Sequence, residues 1–236
     1  MALLRDKSLR NIATGEYLYN KATDLLWDEV FVKYCTHPKL LDYIGSFIGP
    51  DITAIHSMFI NKPPDSGKLT STHPLHQDLH YFPVRPVEKV VGSWTALEKT
   101  TKENGCLHVI PGSHRSILQY HGYPEYDVNY GFHGVRGFDD APKVYLEMEK
   151  GDTVFLHPLI LHGSGPNLSK RFRKAISVHY ASSHCHYVDV TNTSQELIGK
   201  EAQGMAKRVG VNLSHIELLK MRNVLVRGNR GILFED

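Results

Sequence analysis

The chain has 236 residues, 41% of them hydrophobic, so it can bury one large core, and a single domain over 1–236 is expected. Its 27 Lys and Arg residues nearly balance its 25 Asp and Glu residues, and so mild a charge argues against nucleic acid or a membrane surface as a partner. The three cysteines form no CxxC pair, which fits a reduced intracellular protein better than a disulfide-stabilised one.

The predicted elements run from an N-terminal helical region into a series of short strands. Apolar residues at helical spacing predict a helix over 23–48, which Gly49-Pro50 ends. Asn104-Gly105 predicts a tight hairpin turn with positive φ at both residues. Runs rich in β-branched and apolar residues predict strands at 53–60, 90–98, 106–110, 143–149, 153–157 and 172–180.

Two further regions complete the chain. Residues 115–142 are rich in Gly, Tyr and Asp without a clear period, which predicts a long, lid-like loop, and 194–221 are predicted to be helical. Short strands separated by turns, without βαβ alternation, favour a mainly β sandwich or jelly roll with flanking helices over a parallel sheet.

Neither end of the chain matches a targeting sequence. Only three apolar residues follow Met1 before the first charge, so no secretory signal peptide is expected, and no apolar run reaches transmembrane length. The final residues, Gly-Ile-Leu-Phe-Glu-Asp, differ from the Ser-Lys-Leu type of peroxisomal signal.

His76 and Asp78 form a histidine–x–aspartate triplet. In an extended strand, residues two apart point to the same face, so the imidazole and the carboxylate would share one side and Gln77 the other. Because the chain has 15 histidines, the triplet alone is weak evidence, and a surface position for either residue stays open. Two histidines and one carboxylate together would leave one face of a metal open, as in non-haem Fe(II) oxygenases.

The second half of such a site is predicted around His162. This histidine follows an apolar run at 154–161, and Ser164 shares its strand face. On the returning strand, Arg173 shares a face with two small residues that would leave room for a ligand. An arginine that points into a barrel needs an anion, and the far carboxylate of 2-oxoglutarate fits. The alternative is a surface arginine or one paired with Asp or Glu.

Five segments of the chain carry a resemblance to a known family: His73-Pro-Leu-His-Gln-Asp-Leu-His-Tyr-Phe-Pro, Asn104-Gly-Cys-Leu with Pro111-Gly-Ser-His, Met148-Glu-Lys-Gly-Asp-Thr-Val-Phe, His162-Gly-Ser-Gly and Phe172-Arg-Lys-Ala-Ile-Ser. They closely resemble the phytanoyl-CoA dioxygenase family of Fe(II)- and 2-oxoglutarate-dependent oxygenases, and the similarity runs from about residue 21 almost to the C-terminus.

The resemblance implies a double-stranded β-helix, a cupin-like jelly roll, and 2-hydroxylation of phytanoyl-CoA and related 3-methyl-branched acyl-CoAs in fatty-acid α-oxidation. It also implies Fe(II), 2-oxoglutarate and O2, with ascorbate as reductant. Related halogenases lack the carboxylate ligand, so Asp78 favours hydroxylation. The implied iron ligands are His76, Asp78 and His162, and the implied 2-oxoglutarate contacts are Lys21, Met58, Trp94, Ser164 and Arg173.

The expected setting is a monomer in the peroxisome. Family members carry a targeting peptide and further residues before the region that matches this chain, so the chain is expected to be an N-terminally shortened member. Because no targeting signal is visible, the cytoplasm is the alternative location.

Other functions stay open. A dioxygenase acting on a different small substrate is the closest alternative. A truncated, inactive binding homologue would be expected to lose a ligand or the arginine, and a metallohydrolase would be expected to carry a motif such as HExxH, which is absent. Four basic residues near the metal strand could meet the phosphates of coenzyme A or form a solvated face; they are Lys62, Lys68, Arg85 and Lys89.

Overall fold

The computed structural model describes residues 2–4, 14–126 and 128–235. The helices are α1 (Phe31–Cys35), α2 (Pro38–Ile48), α3 (Glu196–Arg208) and α4 (His215–Lys220). The strands are β1 (Ala2–Leu4), β2 (Lys21–Thr23), β3 (Ile52–Lys62), β4 (His73–His76), β5 (Val84–Arg85), β6 (Val90–Ala96), β7 (Leu107–Val109), β8 (Val144–Leu146), β9 (Thr153–Leu156), β10 (His162–Ser164), β11 (Arg173–Ser182), β12 (His186–Tyr187) and β13 (Val224–Arg227).

Two antiparallel sheets form the framework. The larger has the order β1-β2-β3-β11-β6-β9, with β13 added to β3, and the smaller has the order β4-β10-β7-β8. From β3 to β11 the chain moves repeatedly between them, because β3, β6, β9 and β11 lie in the larger sheet and β4, β7, β8 and β10 in the smaller. This alternation is that of a jelly roll, so the predicted fold class is confirmed.

Helix α2 covers the outer face of the larger sheet. Its buried residues recur at helical spacing and pack against Ile52, Ala54, Val178 and Tyr180 of β3 and β11. The helix ends where Gly49 takes a φ of 100°, a conformation that favours glycine. One side of the sheet is thereby closed, and its other face is left for the cavity between the sheets.

The predicted helix over 23–48 is wrong in its first half. Thr23 ends β2, Asp24 has a φ of 62°, and a 3-10 turn at Leu25–Trp27 precedes α1. Pro38 then starts α2 at its first turn, where the missing proline N–H leaves no intrahelical bond unmade. The second helical prediction, 194–221, contains α3 and α4 with an interruption at 209–214.

The predicted hairpin at Asn104-Gly105 is also wrong. Gly105 has a φ of 77°, but Asn104 does not share the positive region and instead accepts the backbone N–H of Thr101 at 2.8 Å through its side chain. The strands on either side, β6 and β7, lie in different sheets and therefore do not pair with each other.

The long pairing of β11 with β3 and β6 positions the cavity residues. In this register Arg173 lies opposite Lys62, and Ser177 lies between Met58 on one side and Trp94 on the other. Residues 115–142, as far as they are described, are mostly irregular, with a single bridge between Gly122 and Gly134. Within the described ranges no helix is long and apolar enough to cross a membrane.

Candidate active site

Two strands of the smaller sheet bring His76, Asp78 and His162 together. Strands β4 and β10 are antiparallel neighbours, and His76 lies directly opposite His162. One ligand atom from each of the three residues falls within 4.8 Å of the others, and all three are buried. The Nε2 atoms of His76 and His162 lie 3.5 and 3.6 Å from Oδ1 of Asp78. Two imidazoles and one carboxylate that face one another in this way match the donors of a two-histidine, one-carboxylate metal site.

Backbone carbonyls orient both imidazoles toward this site. The Nδ1 atom of His76 donates to the carbonyl of Pro74 at 2.9 Å, and Nδ1 of His162 donates to the carbonyl of Ile160 at 3.0 Å. With Nδ1 protonated, the lone pair of each neutral ring is on Nε2, the atom that faces Asp78. Burial lowers the pKa of His162 to about 4, which keeps this imidazole neutral and able to bind a metal.

Asp78 does not lie in strand β4 with His76, although an extended strand was predicted to carry both residues. Strand β4 ends at His76, and Asp78 begins a 3-10 turn at Asp78–His80. Gln77 between them is still extended, with φ −116° and ψ 128°, so the expected alternation holds over these three residues. Burial tends to raise the pKa of the Asp78 carboxyl, but the electrostatic and hydrogen-bonding interactions with the imidazoles of His162, His179 and His76 outweigh it and hold that pKa well below its usual value.

His179 is a site residue that the sequence interpretation did not include. Its Nε2 atom lies 3.1 Å from Oδ2 of Asp78, the carboxylate oxygen other than the one nearest to His76 and His162. Gly92 leaves the space for this pair, since a Cβ there would lie 3.2 Å from His179 and 3.4 Å from Asp78. The alternation that places Arg173 in the cavity also points to His179, six residues further along β11.

Gln77 connects the metal strand to the long loop. Its amide nitrogen donates to the carbonyls of Ile117 and Leu159, and its amide oxygen accepts from the backbone N–H of Gln119 at 2.7 Å. His121 of the same loop accepts the backbone N–H of Gln77 at 2.9 Å. The residue between His76 and Asp78 therefore fixes the loop against the site.

Arg173 points into the cavity, and no carboxylate of the described residues pairs with it. Only 2% of the residue is exposed, and Nη2 donates to the carbonyl of Gly105 at 3.2 Å. Its Nε and Nη1 atoms are buried and have no hydrogen-bond partner among the described residues. The guanidinium lies 5.2 Å from the ring centroid of Trp94. Burial lowers the pKa of Arg173 to about 10, so it is still a cation at neutral pH. Neither a surface arginine nor one paired with Asp or Glu describes this residue.

One cavity between the sheets contains every predicted site residue. The three residues of the metal group line it, as do the five residues predicted to contact 2-oxoglutarate, Lys21, Met58, Trp94, Ser164 and Arg173. The Nζ atom of Lys21 lies 4.1 Å from the ring centroid of Phe132, which belongs to the long loop. Burial, followed by the charge of Arg173, lowers the pKa of Lys21 to about 8.

Lys62 is a further cation in this cavity. It is 5% exposed and lines the cavity, so the expected solvated face is wrong. A contact with coenzyme A phosphates stays a prediction. Its Nζ donates to Oγ of Ser164 at 2.9 Å and to the carbonyl of Gly165. The cavity therefore places a carboxylate and two imidazoles at one end of an enclosed space that also holds three cationic side chains. Such a space can hold a metal ion together with a small anion.

Comparison with known proteins identifies relatives over nearly the whole chain. The family model for phytanoyl-CoA dioxygenase (PhyH) matches residues 5–175. The human protein named peroxisomal phytanoyl-CoA dioxygenase is 48% identical over 240 residues, an alignment that covers 98% of this chain and 70% of the human one. The protein of the same name from Bos taurus is 50% identical over 213 residues, covering 88% of this chain and 63% of the bovine one.

Solved structures with lower identity share the fold. The non-heme monooxygenase ThoJ aligns with a TM-score of 0.66 at 19% identity, covering 96% of this chain and 73% of ThoJ. The epimerase SnoN, solved with Fe3+, alpha ketoglutarate and nogalamycin RO, aligns with a TM-score of 0.60 at 20% identity, covering 76% of this chain and 68% of SnoN. With the family model matching well over half of its residues, the chain belongs to the phytanoyl-CoA dioxygenase family.

Proposed function

We propose that this protein is an Fe(II)- and 2-oxoglutarate-dependent dioxygenase that hydroxylates carbon 2 of phytanoyl-CoA and related 3-methyl-branched acyl-CoAs. The observation that carries the chemistry is that two buried nitrogens of Arg173, Nε and Nη1, have no hydrogen-bond partner among the described residues and lie on the same cavity as His76, Asp78 and His162. A metal group alone fits several enzyme classes, whereas a metal group facing an unpaired buried arginine calls for an anionic co-substrate.

His76, Asp78 and His162 would hold the iron. The two carbonyls that orient the imidazoles and the contact from His179 to Asp78 support this assignment, because the groups around a metal site usually fix its ligands in this way. When bound, the iron would couple oxidation of 2-oxoglutarate by O2, which yields succinate and CO2, to insertion of the second oxygen atom into a substrate C–H bond.

Arg173 and Ser164 would hold the far carboxylate of 2-oxoglutarate, with Lys21 adding positive charge. Met58 and Trp94 would pack against its carbon chain, since both line the same cavity. The chain's own residues thus bind and orient the co-substrate, and the burial of the site excludes water from it.

The acyl-CoA substrate and the setting are proposed from the family. The human and bovine relatives are named peroxisomal phytanoyl-CoA dioxygenase, and this chain covers 70% and 63% of their lengths. We extend from them the substrate and the peroxisome. We further propose that the chain forms one domain, acts as a monomer and uses ascorbate to keep the iron reduced.

Turnover with defined substrates tests the proposal. The protein is loaded anaerobically with Fe(II), exposed to O2, 2-oxoglutarate and ascorbate with a panel of straight and branched acyl-CoAs, and assayed for succinate and for a one-oxygen mass gain. Equal amounts of succinate and oxygenated 3-methyl-branched acyl-CoA are expected.

The other outcomes separate the remaining functions. Succinate without oxygenated acyl-CoA would indicate a dioxygenase with a different small substrate. No succinate from a protein that binds both iron and 2-oxoglutarate would indicate an inactive binding homologue. A protein that neither binds iron and 2-oxoglutarate nor forms succinate would contradict the proposed chemistry altogether.

A further inference from the structure

Two buried basic side chains that line the cavity stand directly opposite each other on neighbouring strands. Lys62 on β3 and Arg173 on β11 are register partners in the larger sheet, 5% and 2% exposed. No described carboxylate forms an ion pair with either. Like charges across a strand pair disfavour folding, and burial adds to that cost. The burial of Lys62 beside Arg173 therefore needs its own functional explanation.

The contacts of Lys62 are to oxygen atoms at the end of β10. Its ammonium donates to Oγ of Ser164 at 2.9 Å and to the carbonyl of Gly165. Gly105 closes this corner: a Cβ there would lie 2.7 Å from the carbonyl oxygen of Gly165 and 3.0 Å from Nζ of Lys62. Nζ of Lys62 is thus held between Ser164, Gly165 and the backbone of Gly105.

The hydrogen-bond polarity at Ser164 follows from the chemistry of the ammonium. In its ammonium form Lys62 has three donors and no acceptor, so Oγ of Ser164 accepts from it. The serine's own O–H is then left to donate elsewhere, and Ser164 lines the cavity that Arg173 also faces.

We propose that Lys62 is a positioning residue that fixes the Ser164 hydroxyl as a donor toward the far carboxylate of 2-oxoglutarate. The inference rests on the proposed function. Without the ammonium, the serine O–H is free to turn to the carbonyl of Gly165 and no longer meets the carboxylate. Lys62 thereby acts on the co-substrate through Ser164.

A purely structural role predicts a different pattern. Lys62 also ties β3 to the segment after β10, and losing that tie would displace both ends of the cavity, the metal end included. Binding of every 2-oxo acid would then weaken together. A positioning role weakens only those acids that carry the far carboxylate.

The test measures binding to Fe(II)-loaded protein under anaerobic conditions by calorimetry. The ligands are 2-oxoglutarate and 2-oxopentanoate, which keeps the metal-chelating end and lacks the far carboxylate. Lys62→Met is expected to weaken 2-oxoglutarate on the order of tenfold or more, the loss of one charge-assisted hydrogen bond, and to leave 2-oxopentanoate unchanged. Lys174→Met, the neighbour of Arg173 on the other face of β11, is the matched control and should change neither.

A double-mutant cycle with Ser164→Ala tests the route. If Lys62 acts through Ser164, the double variant binds 2-oxoglutarate about as well as Ser164→Ala alone. A full additional loss from Lys62→Met in the Ser164→Ala background would show that the lysine acts directly by its charge, and would overturn the inference, as would equal weakening of both acids.

Two safeguards keep the result interpretable. Should Lys62→Met fail to fold, Lys62→Gln replaces it, because an amide both donates and accepts and so no longer fixes the serine hydroxyl. It should show the same selective loss. If the unaltered protein binds no 2-oxoglutarate, the proposed function fails; if it binds and Lys62→Met binds equally, only the inference about Lys62 fails.

Discussion

At the scale of single residues, Asp78 has two different oxygen environments. Its Oδ1 atom faces the two ligand histidines, and its Oδ2 atom lies 3.1 Å from His179. The carboxylate thus faces His76 and His162 with one oxygen and contacts the larger sheet with the other, because His179 lies on β11. The orientation of the carboxylate depends on a histidine that would not itself touch the metal.

Replacing His179 by Phe is therefore expected to weaken Fe(II) binding about 10- to 100-fold, as is usual for groups that orient a metal ligand. Asp78→Ala should weaken it further, because it removes the ligand itself. Binding is measured by anaerobic equilibrium dialysis with metal analysis. His184→Phe is the control, because His184 pairs with Asp51 at the surface with 61% of its side chain exposed. An affinity in His179→Phe equal to that of the control would contradict this role.

Lys21 gives co-substrate binding a pH dependence with a defined sign. Its pKa is lowered to about 8 by burial and by Arg173, while Asp78 acts in the opposite direction. A bound dicarboxylate favours the protonated amine, so raising the pH through 8 removes attraction and weakens binding. With Lys21 alone titrating, the Kd of 2-oxoglutarate should rise about tenfold between pH 7 and 9.

Calorimetric titrations of Fe(II)-loaded protein across this pH range check the prediction. Lys21→Met should bind more weakly at pH 7 and should lose most of the rise. A variant that keeps the full rise would show that the pH dependence comes from another group.

At the scale of elements, α3 is connected to the metal turn through the long loop. Glu201 of α3 accepts from the hydroxyl of Tyr123 at 3.0 Å, and its other oxygen lies 3.3 Å from Nε2 of His133. His133 in turn lies 2.9 Å from Nε2 of His80, the last residue of the 3-10 turn that Asp78 begins. A C-terminal helix thus supports the segment that carries a ligand.

Glu201→Ala should lower the free energy of unfolding by about 0.5–1.5 kcal/mol, because it removes the acceptor of the Tyr123 hydroxyl and the carboxylate that lies 3.3 Å from Nε2 of buried His133. The control on the same helix, Glu196→Ala, breaks an exposed pair with Lys200 and should cost only about 0.3–0.5 kcal/mol. Urea unfolding measures both. Hydrogen exchange should also quicken in 115–142 for Glu201→Ala alone, and equal costs for the two variants would refute the connection.

The elements that the sequence predicts well are those set by local pattern. The strand over 53–60 and the end of α2 at Gly49 follow from β-branched residues and from a glycine at positive φ. The hairpin at Asn104-Gly105 fails for the opposite reason. A turn signal is local, whereas the sheet that each flanking strand joins is decided by partners far along the chain, such as β10 for β7.

The residues of the site also fall into those that local pattern predicts and those that depend on distant contacts. His76, Asp78 and His162 were predicted through strand alternation and resemblance, and the structure brings them together. Lys62 was not placed in the cavity, because its contact with Ser164 spans 102 positions and no motif marks it. His179 could have been found, since the alternation along β11 extends to it. Periodicity shows which face a residue occupies, but not which distant residue faces it.

At the scale of the whole molecule, the cavity opposes folding when no anion fills it. Lys21, Lys62 and Arg173 all line it; the charge of Arg173 lowers the pKa of both lysines, and the charge of Lys21 lowers that of Lys62 further. Asp78 at the metal end is the one carboxylate among the described lining residues. The buried positive charges thus lower the free energy of unfolding of the ligand-free protein, as is common where function requires a buried charge.

Arg173→Met should accordingly stabilise the ligand-free protein while abolishing its response to co-substrate. Removing an unpaired buried cation should raise the free energy of unfolding by about 0.5–2 kcal/mol, even though the bond from Nη2 to the carbonyl of Gly105 is lost. Urea unfolding is measured anaerobically with Fe(II), with and without 2-oxoglutarate. At a concentration 100 times its Kd, the co-substrate should add about 2.7 kcal/mol to the free energy of unfolding of the unaltered protein and nothing to that of the variant.

Arg227→Met, which removes an arginine paired with Asp42 at the surface, should leave the co-substrate response intact. A variant less stable than the unaltered protein without ligand would mean that the contacts of Arg173 with Gly105 and Trp94 outweigh the cost of burying its charge.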